Sequence, residues 1–436
     1  MSALGDLAGF VTSASAAKLP EAEQAMLRRH VADTLVAAVA GVQTTEGQAL
    51  RKVMPCISIA DAAGMIAAVI RHTEIDDIYT RSCTTPSSVT VPAALALAIE
   101  HSEYDPDTVA SAIWIGTELM TRLGVAIDGA RILYRGIWPT YFTAPLGAAA
   151  IAARMLHLSQ EQTAHALSLA LMLTAGRSGR FQGALPGRSV ILGMAVANGI
   201  RAAQAAKDGV GGDPALLDGP WLKDAHGIDA KLDALTVGLG SGSIYPQMTI
   251  KPFCSAKQSI AAIEAFTSIV DEGVAPDSIS KVVVKVPPPY ARMIAMKAEA
   301  GARASTILSV AFQMGLAAYH RERLYDIERA DAMAETKALA LAGKVEIVAD
   351  ESLAEFFPAN FPAEVEVTAG GKTLRKRVTA AAGDPGRAFD DSALADKAKR
   401  ILGPAAAQII ETGLNGFRSE ETCKRLADAM WQVAVD

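Results

Sequence analysis

Apolar residues recur at three- and four-residue spacing through most of the first 250 positions, a period that predicts helix after helix. LGDLAGFVTSA and EAEQAMLRRHVADTLVAAVAGV show it first. Asp105 or Asp107 can cap TVASAIWIGTELMTRLGVAI. Ser159 with Gln162 three residues on has capping-box spacing ahead of TAHALSLALMLTAG. RSVILGMAVANGIRAAQAAKDG is a further helix, stopped by glycine, and Gly147, Gly193 and Gly199 are small enough to let helices approach closely. Gly and Pro punctuate residues 136–187, which suits loops lining a cleft.

After residue 275 the period changes. SKVVVKVPPP alternates valine with lysine and stops at three prolines, an edge-strand pattern. KVEIVADE, AEVEVTAG and KTLRKRVTAAAG alternate similarly, and TAGGKT reads as a hairpin turn. TILSVAFQMGLAAYHRER between them is helical, as are ALADKAKRILGPAAAQIIETG and SEETCKRLADAMWQVAV at the end. The predicted class is mainly α: a large all-helical domain from both chain ends, residues 1–254 and 386–436, plus a smaller α+β domain at 255–385.

Composition narrows the partners. Half of the 436 residues are apolar and 20% are charged, below the usual share of about 25%. A net charge of −6 with no basic tract argues against nucleic acid. Cys56, Cys83, Cys254 and Cys423 are scattered, with no CxxC pair and no metal-type cluster. The N-terminal stretch lacks signal-peptide character, and the most apolar segment carries Glu118 and is too short to span a bilayer. The expectation is a protein of a reducing cytoplasm with no membrane partner.

Candidate chemistry begins at TIKPFCSAKQS, where Lys251 precedes a proline and Lys257 falls in the first turn of a helix. Positive charge on the positive pole of a helix makes sense if an anion fills the spot. Lys257 is either a ligand contact or a solvated surface residue. Arg188 can grip a carboxylate with two donors or form a structural ion pair. With Arg177 and Arg180, and with Gln182 nearby, it makes a cationic cluster on a Gly-rich stretch. Asp76 and Asp77 form an acidic pair near a helix boundary, and the reading assigns one to chemistry and one to capping. Arg81 and Thr85 flank SCTTP and either contact substrate or shape the turn.

Several stretches then line up in order: RHTEIDDIYTRSCTTPSSVTVPAALALA, ASAIWIGTELMTRLGVAI, RGIWPTYFTAPLGAAAIAARMLHLSQEQTAHALSLA, GRSVILGMAVANGIRAAQAAKDGVGGD and TIKPFCSAKQSIAAIEAF. This series resembles the MmgE/PrpD superfamily over nearly the whole chain. The resemblance implies a helical domain from both chain ends, an α+β lid domain, a homodimer, and cofactor-free chemistry on a small polycarboxylate in a cleft between the domains. It carries Asp76 and Asp77 over from the family's acidic stretch, with Glu74 at a further acidic position, and it carries Lys251 over as the family lysine. His72 matches the family's own histidine, and a buried, hydrogen-bonded structural role suits it.

The departures from the family pattern matter as much. Thr85 and Trp138 stand where relatives carry histidines, Arg188 where they carry lysine, Ala256 where they carry histidine or cysteine, and Leu308 where they carry tyrosine. Trp138 cannot move protons and suits an apolar pocket wall; Tyr141 is either a stand-in proton donor or an exposed or packed tyrosine. The other six histidines, His30 among them, lie outside the motif segments. The expected activity is a cofactor-independent, dehydratase-like lyase that removes a proton next to a carboxylate of a small di- or tricarboxylate. The alternatives are an epimerase or isomerase of such a compound, and a carboxylate-binding member without activity.

Overall fold

Helical periodicity alone accounts for most of the chain: in the computed structural model the protein is mainly α with a small α+β part. The structure describes residues 2–54, 56–176, 187–300 and 302–435. Arg180 and Gln182, expected in the cationic cluster, lie outside the described residues, as does Arg177. Among the described residues no helix is long and apolar enough to cross a membrane. Two compact units are present, and the described residues of the second are 249–300 and 302–389.

The first unit consists of helices from both chain ends. Asp105 caps Pro106–Ala126, and Ser159 and Gln162 form a complete capping box on Gln160–Met172. Ile59–His72 and Gly187–Lys207 pack backbone to backbone at Gly64 and Gly193, where a Cβ on either would meet the other's carbonyl oxygen. Arg201 pairs with Asp61 at one end of this contact and Arg188 faces Glu74 at the other. The two helices are therefore antiparallel, which puts the start of one beside the end of the other. Asp391–Leu402, from the C-terminal part of the chain, returns to pack on Glu21–Val42.

The second unit holds a four-stranded sheet: β1 (Ile279–Val286), β2 (Val345–Ala349), β3 (Ala363–Ala369) and β4 (Lys372–Val378). Its order is β2-β1-β3-β4, with β1 and β2 parallel and the other pairs antiparallel. The sequence pattern marked β1 as an edge strand, and here the structure differs: β1 lies between β2 and β3. Pro287, Pro288 and Pro289 fall just beyond the strand, so no ladder N–H is lost. The edges are β2 and β4, and the charges of Lys372, Arg375, Lys376 and Arg377 on β4 disfavour further pairing there. Lys257–Asp271 packs across β3 and β4 through a buried stripe that includes Ile263 and Phe266.

Candidate active site

The acidic stretch follows the last turn of Ile59–His72. Glu74 takes a left-handed backbone (φ 59°), and the chain then makes a turn closed by the Tyr79–Thr84 bridge before Ser87–His101 begins. Asp77 ties that turn down. Its Oδ1 accepts from the Ser87 amide at 3.2 Å, and its Oδ2 accepts from the Ser87 hydroxyl at 2.5 Å and contacts His30 Nδ1 at 2.7 Å. With both oxygens engaged and almost no exposure, Asp77 is a cap and an anchor. The sequence reading of His30 as remote from the motifs is therefore corrected. A sequence separation of 47 hides the His30–Asp77 pairing from any local signal.

Asp76 faces the other way. Arg71 Nη1 donates to Asp76 Oδ1 at 2.9 Å, and its Nη2 donates to both Glu74 oxygens at 3.1 Å. Burial alone would pull the Arg71 guanidinium down, but Asp76 and then Glu74 hold it above its ordinary range. Arg188, the second residue of Gly187–Lys207, approaches Glu74 Oε1 at 3.9 Å, too far for a hydrogen bond. Its guanidinium lies 4.3 Å over the ring of Trp138, a cation–π contact. Arg188 Nε and Nη1 are buried with no hydrogen-bond partner among the described residues, as is Trp138 Nε1. Buried donors of this kind normally find acceptors, and none of the described residues supplies one.

The helix starts around this cluster add to its positive field. Trp138 caps Pro139–Met155 with no side-chain hydrogen bond to its amides. Thr85 pins that start to the start of Ser87–His101, since its N–H donates to Thr140 Oγ1 at 3.0 Å and its hydroxyl lies 3.2 Å from the same oxygen. Thr85 thus ties two helix starts together. Tyr141 is buried, with its ring stacked on Trp138 at 5.8 Å between centroids. Arg81 stands apart on the exposed tip of the turn. His72 Nε2 lies 2.7 Å from Thr44 Oγ1, whose proton goes to Gly41 O, so the ring nitrogen is the donor in a structural bond.

In the second unit, Lys257 begins Lys257–Asp271, as its position in the sequence predicts. It is neither a surface residue nor an open ligand position: its Nζ lies 2.6 Å from Asp384 Oδ1, and both side chains are essentially unexposed. The anion beside that helix start is the chain's own. Burial draws the Lys257 ammonium below its ordinary value, Asp384 opposes the shift, and nearby Lys251 adds to it. Asp384 also accepts from Thr249 Oγ1 and the Ala381 amide, each at 2.8 Å. Ile250 N donates to Gly383 O at 3.3 Å, and Gly383 has φ 87°, with Ile250 O where a Cβ would sit. Residues 249–257, with buried Lys251 among them, are thereby clamped to the 381–387 turn.

The helical unit also carries a groove of about 750 Å³ between Glu21–Val42 and the two helices Asp391–Leu402 and Ala406–Asn415. Alanines, leucine and charges of both signs line it, and none of the cluster residues does. Arg71 escaped the sequence reading, although its position directly ahead of His72 and the acidic residues was a usable signal.

Two family models match the chain: the MmgE/PrpD N-terminal domain over residues 5–229 and the MmgE/PrpD C-terminal domain over residues 253–412. A cis-aconitate decarboxylase-like protein of Aspergillus oryzae is 30% identical over 166 residues, which cover 36% of this chain and 34% of that protein. The chain thus matches about a third of that relative's length.

Proposed function

The chain belongs to the MmgE/PrpD family, and from that premise we propose that it is a cofactor-independent lyase of the dehydratase type acting on a small di- or tricarboxylate. The observation that carries the reading is Arg188: a guanidinium over the ring of Trp138, with two buried donors unclaimed by the described residues. A planar carboxylate matches such donors, and the helix starts nearby favour negative charge. Bound there, the substrate carboxylate takes up charge as the adjacent C–H loses its proton, and the guanidinium offsets that charge. Asp76 is the proposed base, since Asp77 is committed to Ser87 and His30. The electron pair of the broken C–H bond moves into the carboxylate and returns to form the double bond. The hydroxyl on the next carbon then leaves as water with a proton from Tyr141. Lys251 stays in the reading as a carboxylate ligand on family resemblance alone. A homodimer in the cytoplasm completes it, and sedimentation velocity checks the dimer.

Trp138 and Thr85, in place of imidazoles, favour a second reading. With weaker acid assistance to a leaving hydroxide, returning a proton to the opposite face of the same carbon is the easier outcome, which is epimerisation. Proton NMR of a panel of di- and tricarboxylates in deuterated water separates these. The lyase reading expects an alkene product with wild type and a loss of roughly a hundredfold or more with Asp76→Asn. Deuterium exchange without alkene favours the epimerase. Binding with neither would overturn both.

A further inference from the structure

The acidic stretch is held from behind by a residue more than three hundred positions away. Lys397 is buried on Asp391–Leu402, and its Nζ donates to Asp33 Oδ1 at 2.5 Å and to the carbonyl oxygen of Ile75 at 3.0 Å. Ile75 separates Glu74, whose backbone is left-handed, from Asp76. We propose that Lys397 is a positioning residue: its bond to the Ile75 carbonyl fixes the backbone that aims Asp76 at the Arg71–Arg188 cluster.

Three observations support it. The side chains of Glu74 and Asp76 are held on one side by Arg71, and the backbone between them is held by Lys397. The partner acid is poorly satisfied: Asp33 Oδ2 is buried without a hydrogen bond among the described residues, and burial raises the Asp33 carboxyl against the pull of Lys397. A buried pair of that quality adds little stability, and two apolar side chains would fill the same space as well. What apolar side chains could not supply is the donor to Ile75. Further along, Asp77 is fixed independently by Ser87 and His30, so loosening at Ile75 would be confined to Glu74 and Asp76.

This inference rests on the proposed lyase or epimerase chemistry for its kinetic arm. The decisive variant is the double substitution Asp33→Asn with Lys397→Met, which leaves no unpaired buried charge. It should melt close to wild type yet show kcat for proton removal down by roughly tenfold to a hundredfold, since a base displaced by about an ångström loses that much. KM should hold within about threefold, because Arg188 is mounted on a different helix. Asp33→Asn alone keeps the donor to Ile75 and should retain kcat within about threefold. Lys397→Arg, which keeps charge and donors, should do the same and serves if the double variant fails to fold. Hydrogen exchange of the Ile75–Asp77 amides should speed up in the double variant while Glu21–Val42 stays protected. Wild-type kcat in the double variant, or equal losses in Asp33→Asn, would overturn the proposal. If wild type turns over no carboxylate, the chemistry has failed separately, and the amide exchange still decides: unchanged protection at Ile75–Asp77 overturns the inference.

Discussion

Asp384→Ala should strongly destabilise the second unit. It removes the carboxylate that accepts from Lys257 Nζ, Thr249 Oγ1 and the Ala381 amide, all in a buried setting. Lys257 is left as an uncompensated charge with no exposure. Breaking a buried pair from one side costs about 3–5 kcal/mol, a large part of the roughly 5–15 kcal/mol that holds a domain together. Adding Lys257→Met removes the stranded charge and should bring the cost down to about 1–3 kcal/mol, the remainder being the orphaned Thr249 hydroxyl and Ala381 N–H. With two units present a single unfolding free energy is poorly defined, so native-state hydrogen exchange in β1 and β3 is the suitable assay. An Asp384→Ala cost below about 1 kcal/mol would refute the reasoning. So would a double variant no more stable than the single one.

Two further outcomes follow from groups outside the cluster. Burial raises the Glu118 carboxyl above its ordinary value, against Arg122, Trp114 and the Ile244 amide, so the folded state keeps a proton that the unfolded chain has released. That contribution favours folding below the unfolded value of about 4.3 and is lost as pH rises through the folded one, so Glu118→Gln should flatten the fall in urea midpoint above about pH 4; an unchanged curve contradicts it. Of the four cysteines only Cys56 is exposed, while burial, with Asp105 and Glu103, pushes the Cys423 thiol up to about 12. Ellman's reagent should therefore titrate one thiol in the native protein and four after unfolding, and rapid reaction of a second native thiol would refute the burial assignment.

Local signals carried most of the fold. The caps at Asp105 and Ser159 and the glycine hairpin between β3 and β4 depend on neighbours within a few residues, and sequence spacing reports them directly. The interior position of β1 was not legible, because alternation with a terminal proline run looks the same in an edge strand and in a central strand that ends just before the prolines. At the site, the acidic stretch and Arg188 stood out by residue type, but their roles depended on partners far along the chain. Asp77 could be told from Asp76 only through His30 and Ser87, and Lys257 was accounted for by Asp384, 127 residues later. Pairings of that length leave no periodicity to read.

The central claim is that a carboxylate docks on the Arg188 guanidinium above Trp138, and calorimetric titration with citrate and smaller dicarboxylates tests it most directly. Wild type should bind at least one of them, and Arg188→Met, which keeps the apolar contact with Trp138 but no donor, should weaken that binding about tenfold or more, as loss of a charge-assisted hydrogen bond requires. Equal affinity in the two proteins, at matched melting temperature, would contradict the account.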